Sequence, residues 1–276
     1  KEKKGTAKFP GWDALEEESR QDGPSILLVI KDAQGNVINT VKGSNKKGFN
    51  RVNWNLSYPS KSGERLKVPE GRRGFRRGGV MVTPGEYSVT LTKRVNGINT
   101  VLQGPETFKV APLFEGALPR KSFEEMDSFR EDAFAFQQDL TATSTALSTS
   151  QQTVDAMLRA LNKATSPTDD LYKRLNTVKN TLLDIDKELN GDKIKGEIGE
   201  RSNPTAREGN SISWRALGNT YGPTEEHKGF LNRVQNQLKM VKNKLLPIID
   251  STLPGLESDL KKTGAPWVEG QGLIKN

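Results

Sequence analysis

Residues able to perform chemistry are few in this chain. The sequence of 276 residues contains no cysteine and one histidine, His227. The missing cysteines exclude disulfides, thiolate zinc sites and a cysteine nucleophile. A Ser-His-Asp triad or a histidine-rich metal site would therefore have to use His227 alone. Its place in the first turn of a predicted helix, between Glu226 and Lys228, favours a surface residue over a catalytic base.

The densest group of charges is the segment GRRGFRRGG, which contains Arg72, Arg73, Arg76 and Arg77. Guanidinium groups beside glycines can bind phosphate, sulfate or an acidic glycan, and RGG-type segments bind RNA. A solvated hairpin loop is the simpler interpretation of a single copy with one aromatic residue. We keep the four arginines as candidate ligand-binding residues for a carbohydrate or another anion.

Three further segments carry acidic or glycine-rich patterns without the geometry that a site needs. The adjacent carboxylates of Glu16–Ser19 point in different directions and lack an apolar pocket that would raise one pKa. Residues 184–192 do not have calcium-loop spacing, and residues 218–223 form a turn without a Walker lysine. We therefore predict no catalytic residue, no metal site and no cofactor, and expect that the protein is not an enzyme.

The positive charge is concentrated in one part of the chain. The net charge is +8, and residues 22–112 alone carry 15 basic and 6 acidic residues. A basic coat of the kind that binds nucleic acid is therefore not expected. No window reaches the roughly 18 apolar residues of a membrane-spanning helix. The chain opens KEKKG without a methionine, which fits either removal of a signal segment or a piece cut from a larger chain.

Short alternating segments separated by turns indicate an antiparallel β-sandwich in residues 22–112, after an N-terminal extension of residues 1–21. The turn signals are Gly35-Asn36, Pro84-Gly85 and Asn96-Gly97. The predicted strands cover residues 25–31, 37–42, 51–58, 86–93, 98–103 and 106–110.

Trp54 lies on the third of these strands between Val52 and Leu56, which share its face. Because both neighbours are apolar, we predict that Trp54 is a core anchor of the sandwich, and we assign Tyr87 a similar role. The alternative is an exposed tryptophan that stacks on a sugar ring.

Helical periods begin after Pro112, and the domain boundary is predicted between Val110 and Ser122. Ser122 with Glu125 forms a capping-box pattern ahead of the first long helix. Pro167 is expected in the first turn of the second helix, and Thr224 opens the third. Three apolar stripes follow from the spacing: Met126, Ala133, Leu140, Leu147, Val154 and Leu161; Leu171, Leu175, Val178, Leu182, Ile185 and Leu189; and Leu231, Val234, Leu238, Val241, Leu245 and Ile248.

These stripes predict an antiparallel helical bundle of about three long helices over residues 120–263. A long loop is expected at residues 191–210, followed by a short helix that Ser211 caps and that contains Trp214, which we assign as a further structural anchor. Pro247 should kink the last helix, and Pro254 should end or restart it. Residues 264–276 are predicted to form an extended strap, with Trp267 held on a hydrophobic surface. The fold class is thus multidomain, β followed by α.

The order of these features resembles the immunoglobulin-like or fibronectin-type module, followed by a helical region, at the C-terminal end of large secreted bacterial proteins. Those proteins carry sortilin-like, BNR-repeat β-propellers and are often labelled glycosyl hydrolases. A flagellar hook-cap type module uses a similar pattern. The tail Gly264–Trp267 resembles the closing strap of that region. The matching positions in the sandwich segment are Asp32, Gly35, Asn36, Val37, Asn50, Arg51, Val52, Trp54, Leu56, Pro84, Gly85, Tyr87, Val89, Leu91 and Phe108.

The resemblance implies a non-catalytic accessory region of a larger exported protein, periplasmic or extracellular. It would act by packing on the N-terminal β-propeller of the parent chain or on another protein. The alternative is a carbohydrate- or anion-binding module that uses the arginine-rich loop of residues 71–79. A hydrolase in its own right is the third hypothesis.

Overall fold

The computed structural model describes residues 9–59, 61, 63, 66, 79–114, 116, 119–200 and 205–272. The chain divides into two compact units, one of residues 1–60 and 73–115 and the other of residues 61–72 and 116–276. The first unit holds a β-sheet and the second is helical. The predicted order, β followed by α, is confirmed.

The first unit contains one short helix and a four-stranded antiparallel sheet. The strand order is β2-β1-β3-β4, so the hairpins β1-β2 and β3-β4 lie side by side. Among the described residues these strands form a single sheet, and a second sheet of a sandwich is not present. The elements are α1 (Trp12–Ser19), β1 (Ser25–Asp32), β2 (Val37–Gly43), β3 (Gly85–Val95) and β4 (Ile98–Val110).

The predicted hairpin turns are confirmed. Asn96 and Gly97 join β3 to β4 with positive φ angles of 50° and 78°, a conformation that asparagine and glycine adopt easily. At the β1-β2 turn the carboxylate of Asp32 accepts hydrogen bonds from the backbone N–H groups of Gln34 and Asn36, at 3.0 and 2.8 Å. Local turn chemistry therefore fixes both hairpins.

The predicted strand at residues 51–58 is wrong. This segment is irregular, and it makes one isolated bridge, Ser57 with Met81. Leu56 has a φ of 54°, which interrupts the extended backbone just before that bridge. The predicted facing nevertheless holds, because Trp54 packs with the buried residues of the sheet while Asn53 and Asn55 are exposed.

The two strands predicted at residues 98–103 and 106–110 are a single strand, β4. Its register against β3 shifts on both sides of Leu91, so β4 carries bulges. Gly104 lies within the irregularity with a φ of 98°. A Cβ atom at this position would stand 2.7 Å from the carbonyl oxygen of Val89. Glycine thus lets β4 stay close to β3 through the bulge instead of ending there.

The helical unit consists of three long helices and three shorter ones among its described residues. The long helices lie in the segments where the sequence predicts them. The apolar stripes predicted for them are buried, except for the half-buried Met126 and Val178. Their shared core also takes in Ala216, Leu256 and Leu260. The helices are α2 (Phe123–Leu161), α3 (Asp169–Asn190), α4 (Lys193–Glu197), α5 (Ala206–Leu217), α6 (Glu225–Pro247) and α7 (Leu253–Lys262).

Side-chain contacts give the directions of the long helices. Gln151 and Asp155 of α2 meet Leu182 and Lys179 of α3, so these two helices are antiparallel. On the other side, Lys228 of α6 contacts Glu125 and Lys242 contacts Asp139, both at a separation of 103 residues. The constant separation means that α2 and α6 run parallel, as the first and third helices of an up-down-up arrangement must.

Several predicted helix starts are wrong by a few residues. Thr168 is the N-cap of α3, so Pro167 precedes the helix and is not in its first turn. The predicted loop at residues 191–210 contains α4 and the beginning of α5. Thr205 caps α5 through a complete capping box with Glu208, and Ser211 lies inside the helix. The Thr-x-x-Glu pattern of that box is present in the sequence and marks the start of α5, whereas Ser211 does not.

The last helices and the tail differ from prediction in detail. After Pro247 the chain makes a π-helical turn, Ile248–Thr252. The proline ring and its missing N–H interrupt the regular α-helical hydrogen bonds at this place. Pro254 then lies in the first turn of α7. Trp267 is 52% exposed, so its predicted docking is wrong, and Val268, which is 4% exposed, enters the core instead.

The contact between α5 and α6 depends on a glycine. A Cβ atom at Gly209 would lie 2.3 Å from Cγ1 of Val234, which is fully buried. No side chain larger than hydrogen fits without moving one helix.

We predict that Gly209→Ala lowers the free energy of unfolding by about 1–3 kcal/mol, because it overpacks this contact. The matched control is Gly229→Ala on α6, where a Cβ atom meets nothing within 4 Å. This change should stabilise the protein by about 0.5–1 kcal/mol through helix propensity. Urea unfolding measures both values, and equal effects would contradict the close packing.

Candidate functional site

The candidate ligand-binding residues Arg72, Arg73, Arg76 and Arg77 lie outside the described residues, so their role stays a prediction. His227 is used structurally. The N–H of Thr224 donates to its Nδ1 at 3.2 Å, and its own N–H donates to Oγ1 of Thr224, which completes a capping box at the start of α6. The imidazole therefore holds the turn that begins the helix.

The acidic and glycine-rich segments also serve local structure. Glu16 forms an ion pair with Arg20 one turn later on α1. Asp192 caps α4, and the hydrogen bond from Lys187 lowers the pKa of its carboxyl group. In residues 218–223 the side chain of Asn219 accepts from two backbone N–H groups, as in an Asx turn. Within the described residues, acidic and histidine side chains form no cluster that could hold a metal ion.

Trp54 belongs to an aromatic cluster on one face of the sheet. Its ring stands edge-on to Tyr87 and Phe108, at centroid distances of 5.9 and 6.1 Å, and its Nε1 donates to the carbonyl of Ser57 at 3.0 Å. Tyr87 is buried, and its hydroxyl donates to the carbonyl of Thr83 at 2.6 Å. The cluster is thus a core with satisfied polar atoms and offers no platform to a sugar.

Trp214, the third assigned anchor, is half-buried on α5 and packs against Phe134 of α2 at 5.8 Å. Trp267, the fourth, donates from Nε1 to the carbonyl of Gly272 but remains exposed. Of the two predicted anchors in the helical unit, Trp214 therefore contributes to packing between helices, and Trp267 does not.

An exposed apolar surface lies on α1 and the segment just before it, and we call Phe9, Trp12 and Leu15 the α1 surface. Their exposed fractions are 62%, 78% and 36%, and the rings of Phe9 and Trp12 touch edge to face at 5.2 Å. No residue of α1 is buried. The sequence signal is the three-residue spacing of Trp12 and Leu15, which places both on one side of a helix, with Phe9 just before the helix begins.

An ion cluster joins the N-termini of α2 and α6. Lys228 contacts Glu125 and Glu225, and Lys121 lies 3.4 and 3.5 Å from the same two carboxylates. The hydrogen bond from Lys228 is the main cause that lowers the pKa of both Glu125 and Glu225 below their ordinary value of 4.5. Acidic groups in the first turns also complement the positive ends of two parallel helices.

Comparisons of the chain with known protein families, with curated proteins and with solved structures find no match. None of the helices in the described part of the chain is long and apolar enough to cross a membrane. The assignment of a function therefore rests on the geometry above.

We predict that Trp54→Ala destabilises the sheet by about 3 kcal/mol, because a large side chain is lost from its core. Trp54→Phe should lose only about 1 kcal/mol, since it keeps a ring but removes the hydrogen bond to Ser57. Amide hydrogen exchange on β1 and β3 measures the loss, with the exchange of α2 and α3 as an internal reference. Protection unchanged by Trp54→Ala would show that the tryptophan is not an anchor.

We predict that the ion cluster stabilises the protein less at acidic pH. Because the pKa values of Glu125 and Glu225 are lowered on folding, their contribution is complete above pH 4.5 and is lost as the pH falls through the folded values. The pKa of Lys228 is raised from 10.5, so its contribution is lost only above that pH. Lys228→Gln should therefore flatten the fall in melting temperature below pH 4.5. Lys239→Gln should not, because Lys239 is an exposed lysine of α6 that pairs with no acidic residue in the described ranges. Equal slopes in the two variants would contradict the assignment.

Proposed function

We propose that this chain is a non-catalytic accessory region of a larger exported protein, and that it acts by docking on the β-propeller of its parent chain. The region comprises an immunoglobulin-like module and an antiparallel helical bundle. The observation that carries the proposal is the α1 surface, where two large aromatic rings and a leucine are exposed together.

The sheet supports the immunoglobulin-like assignment in two ways. The order β2-β1-β3-β4, in which two hairpins meet through a central antiparallel pair, is that of the C′-C-F-G sheet of such modules. The hydrogen bond from the hydroxyl of Tyr87, near the start of β3, back to Thr83 has the form of a tyrosine corner. Trp54 then covers the face on which the second sheet of a sandwich would lie.

The α1 surface has the composition of a docking helix. Trp12 and Phe9 expose apolar area of the kind enriched in interface hot spots, and four acidic residues lie on the same short helix: Asp13, Glu16, Glu17 and Glu18. Burying each large apolar side chain contributes about 1.5–3 kcal/mol. Three such side chains together provide enough apolar area for association between separate molecules in the micromolar range.

The propeller of the parent chain, produced separately and mixed with this region, provides the test. We expect a one-to-one complex in sedimentation velocity and a blue shift of tryptophan fluorescence as Trp12 leaves water. Trp12→Ala should weaken the complex at least tenfold, since hot-spot truncations cost about 2 kcal/mol or more.

Phe49→Ala is the matched control, because Phe49 is 92% exposed in the same unit but is not part of the α1 surface. It should bind as tightly as the unaltered chain. No association at high micromolar concentration, or equal weakening by Trp12→Ala and Phe49→Ala, would overturn the docking proposal. Turnover of aryl glycosides by the pure chain would overturn its non-catalytic part.

A further inference from the structure

A polar groove lies at one end of the sheet, and it is distinct from the aromatic cluster. Its volume is about 690 Å³, within the range of small-ligand sites. Ser25 of β1 lies directly opposite Arg94 of β3, and Arg94 lies opposite Asn99 of β4. Lys42 of β2 is opposite Leu27, two residues from Ser25. Because side chains alternate along a strand, the four residues lie on one face of the sheet, opposite Tyr87. Ser25, Arg94 and Asn99 form one row across the strands, and Lys42 lies in the adjacent row.

Two cationic side chains on this face of the sheet are available to a ligand. Lys42 and Arg94 are exposed and form no ion pair with any residue that the structure describes. Arg94 donates from Nε to Oδ1 of Asn99 at 2.9 Å. That bond orients the guanidinium group and leaves its terminal nitrogens for an oxyanion, which they can bind through two parallel hydrogen bonds. The surrounding segment is strongly basic, which adds to the attraction of an anion.

The remaining lining residues narrow the class of ligand. Asp22 shares the groove with the two cations, and Asn96 and Asn99 provide amide groups. Asp22 would repel a phosphate group, whose negative charge is spread over all of its free oxygens, which disfavours polyphosphates and nucleic acids. A uronic acid carries one carboxylate per ring and can turn hydroxyl groups toward Asp22. Carboxylate, amide and hydroxyl side chains are instead the usual partners of sugar hydroxyl groups. The lining contains no aromatic residue, so binding by ring stacking on a neutral sugar is not available.

We propose that this groove binds a uronic acid residue of an acidic saccharide. The ligand carboxylate lies between Arg94 and Lys42, and its hydroxyl groups bond to Asp22, Asn96 and Ser25. The site is independent of the α1 surface and of the docking proposed above, and it uses none of the arginines of residues 71–79.

Titration of the isotope-labelled full chain with trigalacturonate, followed by amide NMR shifts, provides the test. We expect saturable shifts at Ser25, Lys42 and Arg94–Asn99 that weaken with added salt. The uncharged trisaccharide with reduced carboxyl groups, sodium acetate and the dipeptide diglycine should each bind at least tenfold more weakly. Arg94→Gln should weaken trigalacturonate about tenfold to a hundredfold, the range for hydrogen bonds to a charged group.

Lys42→Gln provides a second variant, which does not disturb the bond between Arg94 and Asn99 and should also weaken binding. Lys93→Gln is the matched control: it removes the same charge from the neighbouring residue of β3, whose side chain lies on the opposite face. Circular dichroism shows that each variant is folded. Absence of saturable shifts, equal loss in Lys93→Gln, or equal binding of acetate or of the uncharged trisaccharide would overturn the proposal. Tighter binding of diglycine would overturn it in favour of a site for zwitterions.

Discussion

The helical unit depends on one continuous apolar stripe along α2. Ala133, Leu140, Leu147, Val154 and Leu161 recur every seven residues and are all buried. Because α3, α5, α6 and α7 all pack against this 39-residue helix, their positions follow from it. The ion pairs that α2 makes with α3 and α6 are only partly buried and individually weak. Their contribution is to favour one register and direction among helices that the hydrophobic contact alone would allow to slide.

The sheet unit has a smaller core than the helical unit. Among its described residues only Ile30, Val82 and Tyr87 are buried apolar members of the main cluster. The irregular segment of Trp54 compensates for the missing area by laying a large ring across Tyr87 and Phe108. The indole N–H of Trp54 donates a hydrogen bond to the backbone carbonyl of Ser57, and the side-chain amide of Asn39 on β2 donates to the same carbonyl. These two side chains, with the two backbone hydrogen bonds of the bridge at Ser57, hold the segment in place without the continuous ladder of a strand.

The two proposed surfaces differ in chemistry and in position. The α1 surface is apolar and flanked by acids, which suits a protein partner that removes it from water. The groove is polar, combines cations with one carboxylate and amides, and lies on the face of the sheet away from the aromatic cluster. Residue types alone indicated neither surface. The α1 side chains look like a short core helix until their exposure is known, and Lys42, Arg94 and Asn99 are brought onto one face at the same end of the sheet only by strand pairing.

The sequence by itself determined the order of β and α elements, the hairpin turns and the buried stripes of α2, α3 and α6, because these depend on residues a few positions apart. Tertiary structure decided the rest. The alternation around Trp54 predicted which side chains face inward, yet the backbone there is not a strand, since pairing depends on distant Met81 and on the positive φ of Leu56. From the sequence alone, Trp267 and Val268 are equally plausible core residues. Only the space left between packed helices admits the smaller residue and leaves the larger one in solvent.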